Sequence, residues 1–129
     1  MLRYIELKSG HNDNGPAWIA HVRASKSGRT IYFGGRALKR ANLPSANHLD
    51  LVTGESYWVS GVKKHGLDRH RAGSGKVAIE AGAVADYLAA VGAQELNPTR
   101  FEVIDDLPPT DPATFYELEN RPRTNGTRQ

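Results

Sequence analysis

The chain has no cysteine among its 129 residues, which excludes both a disulfide framework and a thiolate metal site. It has no apolar run approaching the ~20 residues that a membrane-spanning helix needs. Its opening, MLRYIELKSG, alternates apolar and polar residues where a secretory leader would carry an apolar block. A cytoplasmic protein is therefore expected. Acidic residues are scarce over most of the chain. Residues 1–94 carry seven Asp and Glu against thirteen Lys and Arg, whereas residues 95–129 carry seven against four. The formal net charge of +3 thus averages a basic body and an acidic tail. Such a body attracts polyanions, and such a tail could fold back over it and weaken that attraction. With 39% hydrophobic residues the chain is too apolar for wholesale disorder, and its length suits a single domain.

The first eighty residues read as β. In Tyr4–Lys8, Ile5 and Leu7 share one face of a period-two pattern. Residues 9–16, SGHNDNGP, are a loop by composition. AWIAHVRA places Trp18, Ala20 and Val22 on one side, with His21 and Arg23 on the other. SKSG then turns the chain into RTIYFGG, and the two segments together read as a hairpin. Residues 36–47 leave two readings, a short helical turn or a loop, and Pro44 favours the loop. HLDLV and SYWVSGV, joined through Thr53-Gly54-Glu55, form a second hairpin, and KVAIE supplies a further strand.

A helix follows over 82–91. Val84, Tyr87, Leu88 and Val91 make an amphipathic stripe, and Gly92 stands at the left-handed C-cap position. Beyond it, RFEVIDDLPP can hold one extra strand, and Asp111-Pro112 pairs an N-cap with proline at the first helical position. The fold class expected is mainly β (α+β): a small twisted antiparallel sheet or partly open barrel of five or six strands, closed by one helix. Residues 1–94 form the basic domain and residues 95–129 a partly ordered acidic extension.

The densest chemistry lies in SGVKKHGLDRHRAGSGK, residues 60–76, with seven Lys, Arg or His side chains, four glycines and one acid. Its GSGK is not a Walker loop, because His70 stands where the first glycine belongs, Val77 follows Lys76, and the segment leads into a strand. A glycine-rich backbone beside Lys63, Lys64, Arg69, His70, Arg71 and Lys76 suits an anion instead. Arg29, Arg36, Lys39 and Arg40 would enlarge the patch if they fall nearby. Tyr32, Tyr57 and Trp58 are candidate base-stacking residues, but Tyr57 and Trp58 are adjacent strand positions that face opposite ways, so at most one of that pair is core unless a barrel edge buries both. Asp68 and His70 offer an acid–base pair. His65, Asp68 and His70, with His48 and Asp50, are of metal-ligand type, but histidines in basic loops are more often plain surface residues. No metal and no cofactor is assigned.

RYIELKSGHNDNGPAWI, SKSGRTIYFGGRALKR, NHLDLVTGESYWVSGVKKHGLDRH and GSGKVAIEAGAVADYL together resemble a family of small bacterial proteins without an established function. The resemblance covers about residues 3–92. It implies that this stretch is the complete domain and that YWVSGVKKHGLDRH is its most recognisable part. It implies no reaction, cofactor or partner.

The function expected is a binding module whose basic loop, residues 61–76, contacts an anionic partner, nucleic acid first, with no membrane involved. Two alternatives come from other classes. One is a protein–protein accessory module anchored by Trp58 or Tyr57. The other is a small enzyme acting on a phosphate-bearing substrate through Asp68 and His70.

Overall fold

The computed structural model describes residues 1–10, 14–63 and 75–120. Nine strands make one sheet: β1 (Leu2–Leu7), β2 (Ala17–His21), β3 (Arg23–Ala24), β4 (Thr30–Phe33), β5 (Arg36–Leu43), β6 (Ala46–Asp50), β7 (Ser56–Ser60), β8 (Val77–Glu80) and β9 (Phe101–Ile104). Two short helices complete the fold, α1 (Val84–Val91) and α2 (Tyr116–Asn120), each entered through a 3-10 turn. The protein is mainly β.

Hydrogen bonding orders the sheet β3-β4-β5-β6-β7-β1-β2-β8-β9. The β2–β8 and β8–β9 pairs are parallel and the others antiparallel. The sheet is open, with β3 and β9 at its edges, yet it is strongly curled. Only Val22 separates β2 from β3, so one bent segment pairs with β1 through its first half and with β4 through its second. Val22 marks the change-over: its N–H donates to Met1 O at 2.8 Å, and two residues later Arg23 and Ala24 have passed to Tyr32 and Ile31.

The curl creates an inside, where Ile5, Ala20, Val22, Ile31, Phe33, Leu38, Tyr57 and Val59 pack together. On the outer face of β1, β2 and β8, α1 lays Tyr87 over Tyr4, Ile19, Val77 and Ile79, with Leu88 and Val91 beside it. Gly92 ends α1 in the left-handed region (φ 71°), a conformation glycine adopts without the steric penalty of a Cβ.

The acidic segment packs onto the body. β9 extends the sheet beside β8. Leu107 N–H donates to Glu80 Oε2 at 2.7 Å, and Gly35 N–H donates to Thr110 Oγ1 at 2.7 Å. Phe115 joins Tyr32 and Ala37 in a third apolar cluster on the outer face of β4 and β5.

Three expectations need correction. Nine strands form, not five or six. The hairpin expected between residues 17–24 and 29–35 exists only where Arg23 and Ala24 meet β4, because Trp18–His21 pair with β1 and β8. Residues 36–43 are neither a helical turn nor a loop but the longest strand. Pro44 does not break that strand. It stands in a tight turn that pairs Leu43 with Ala46, and Ser45 takes the positive φ (60°) that a type II turn requires at its third position. The second hairpin, the strand at Val77–Glu80, the helix with its Gly92 cap, and the Asp111 cap, which accepts from Ala113 N–H at 3.0 Å, are as the pattern predicts.

Candidate nucleic-acid interface

Tyr57 and Trp58 divide as strand alternation requires. Tyr57 points inward and is 1% exposed, in the cluster that fills the curl. It is therefore unavailable for stacking on a ligand, and burial raises its phenol pKa above the ordinary value. Trp58 points outward, opposite Glu6 of β1, and is 39% exposed. An indole left in water on a sheet surface forgoes the burial that would ordinarily stabilise it by a few kcal/mol.

Trp58 stands in a concavity of about 470 Å³ whose walls come from the β5–β6 hairpin, chiefly Arg40, Asn42, Ser45 and Asn47. The β5–β6 ladder shifts register between Arg40 and Leu43, within this wall. Asn47 is fully engaged: its Nδ2 donates to Val59 O and its Oδ1 accepts from Val59 N–H, both at 2.8 Å. This side-chain bridge prolongs the β6–β7 pairing and holds Trp58 in place. Among the described residues Arg40 has no ion-pair partner.

His48, next to Asn47, is buried at 4% exposure beneath this wall. Its Nδ1 lies 2.9 Å from Asn47 Oδ1. Because that oxygen already accepts from Val59, the imidazole is the donor, which makes neutral His48 the Nδ1–H tautomer. Burial first, and the nearby Arg40 charge second, hold its pKa down at about 4. It is neutral at physiological pH and contributes no positive charge to the surface.

A second basic concavity, about 530 Å³, lies on the outer face of β4 and β5. Lys26, Arg29 and Lys39 line it, with Tyr116 and Glu119 of α2 forming the opposite wall. Tyr32 Oη donates to Glu119 Oε1 across this boundary, and burial together with that carboxylate pushes the phenol up to about 12. The acidic tail thus folds back on the basic body. Among the described residues it does so through Phe115 and Tyr32 rather than through ion pairs, since Lys26, Arg29 and Lys39 form none there. Arg36, which could have joined this patch, is taken by Asp50 Oδ2 at 2.9 Å and faces Glu55 at 4.0 Å.

Of the loop residues singled out by the sequence, Lys63 and Lys76 are exposed at the two ends of the 64–74 segment. Lys64, His65, Asp68, Arg69, His70 and Arg71 lie outside the described residues. His48 and Asp50, considered as metal ligands, are committed to Asn47 and to Arg36. Among the described residues no group of three His, Asp or Glu side chains is placed to hold a metal ion. Likewise, no helix among them is long and apolar enough to cross a membrane.

Sequence reasoning missed the Asn42 wall and the Lys26 groove. The signal for both was the long β5 strand, which contributes Arg40 to one concavity and Lys39 to the other. No family model, curated protein or solved structure matches the chain.

Proposed function

We propose that this protein binds an extended polyanion, nucleic acid with unpaired bases, on the surface around Trp58. The observation that carries this reading is the exposed indole in a concavity also lined by Arg40, which has no carboxylate partner among the described residues. Unpaired bases stack on aromatic side chains presented by sheets, and cations beside the ring hold the phosphates. Lys63 and Lys76, exposed at the two ends of the basic loop, would add charge to this surface, as would Lys64, Arg69, His70 and Arg71. A duplex hides its base faces, so single strands fit an isolated indole better. The resemblance to small bacterial proteins adds no chemistry to this reading.

The test is binding of the full chain to single-stranded DNA and RNA across a salt series. Affinity should fall steeply with salt, and Trp58→Ala should weaken it by about tenfold or more, the loss of one stacked base. Arg40→Gln should flatten the salt dependence by about one counterion. Binding that ignores salt and disappears in Trp58→Ala would point instead to a protein partner, for which an exposed tryptophan is an equally good anchor. No binding at low salt removes the proposal.

A further inference from the structure

The edge strand β9 offers a second, separate surface. Val77 lies opposite Phe101, and its N–H donates to Arg100 O at 2.8 Å. In a parallel ladder this directs the main-chain groups of Val77 and Ile79 to Arg100, Glu102 and Ile104. Phe101 and Val103 therefore direct theirs to the open edge. The Phe101 N–H is taken by Asn97 O at 3.1 Å. The Phe101 carbonyl and both main-chain groups of Val103 have no partner among the described residues. The Val103 side chain, on the same face as buried Ile79, is 53% exposed.

Open edges are usually blunted by lysine, proline, a bulge or extreme shortness. The other edge, β3, has two residues and is blunted by length alone. β9 has four residues, none of them lysine or proline, and pairs with β8 in unbroken register. Its surroundings are acidic. Glu102 and Asp105 are exposed and have no hydrogen bond or ion pair among the described residues, and residues 95–120 carry seven acids against Arg100 alone. A second copy of this chain would bring those acids together, which disfavours self-pairing.

We infer that β9 accepts an extended basic peptide as a tenth strand. One apolar residue of the peptide covers Val103 while Lys or Arg on either side meets Glu102 and Asp105. The partner class is thus a protein segment that alternates basic and apolar residues.

The experiment is an NMR titration of the full chain with a capped peptide alternating lysine and valine. The expected result is amide shifts centred on Phe101–Asp105, protection of the Val103 amide from exchange, and affinity that falls with salt. Val103→Pro removes an outward-facing donor while leaving the β8 ladder intact. It should weaken binding about tenfold with little loss of thermal stability. If Val103→Pro fails to fold, a peptide methylated at the backbone nitrogen of its central valine should show the same loss. Equal binding of a glutamate–valine peptide, shifts confined to the basic face, or binding unchanged by both backbone blocks would overturn the inference. Self-association that Val103→Pro abolishes would also overturn it, by making a second copy the occupant.

Discussion

Lowering the pH should destabilise this protein through His48. The unfolded imidazole takes a proton near 6.5, whereas the folded one, buried and close to Arg40, does so only near 4. Between those values the unfolded state binds more protons than the native state, so stability rises with pH across that window. The contribution is fully present above about 6.5 and is lost as pH falls towards 4. At about 1.4 kcal/mol per pH unit the window amounts to roughly 3 kcal/mol. That is a large part of the 5–15 kcal/mol typical of a domain. Urea unfolding of the wild type and of His48→Gln, followed from pH 7.5 to pH 4, isolates this contribution, because the two proteins differ at no other side chain. The wild type should be the more stable at pH 7.5, and the gap should close by roughly 3 kcal/mol at pH 4. A gap that stays constant across the range, or an imidazole resonance titrating near 6.5, would refute the argument.

Asp50 should matter for stability more than for binding. It is 1% exposed and its Oδ1 accepts from the Val52 and Thr53 amides at 2.8 and 3.1 Å, while Arg36 occupies Oδ2. Asp50→Ala strands those donors and should cost about 2–4 kcal/mol in urea unfolding, with single-strand affinity of the folded protein unchanged. Phe115→Ala should loosen α2 from β4 and β5 at a cost of about 3 kcal/mol. The Tyr32 phenol, now at about 12, should return towards 10.0 in a spectrophotometric titration, and an unmoved phenol would show that Phe115 does not hold the tail.

Much of the fold is legible locally. Alternation around Ile5 and Leu7, the stripe of α1 and the Gly92 cap all depend on neighbours within one strand or one helical turn. So does the opposite facing of Tyr57 and Trp58, which follows from pleating alone. Strand β5 was not legible because both of its faces are covered. Leu38 enters the curled interior while Ala37 lies under Phe115, so the polar–apolar alternation that marks a half-exposed strand is blurred there.

Sequence by itself determined that this is a β-rich chain with a basic body, one amphipathic helix, no disulfide and an adjacent Tyr57-Trp58 pair that faces two ways. Tertiary structure alone decided what those parts make together. The bend at Val22 hands one segment from β1 to β4 and curls the sheet. The parallel insertion of β8 between β2 and β9 joins residues some sixty positions apart in register, a pairing that carries no local turn signal. The packing of Phe115 on Tyr32 settles where the acidic tail rests, and the pairing of β5 and β6 with β7 brings Arg40 and Trp58 to the lining of one concavity. Each of these contacts is chosen by which apolar surfaces are left to cover once the strands have formed, a quantity that no short window of sequence contains.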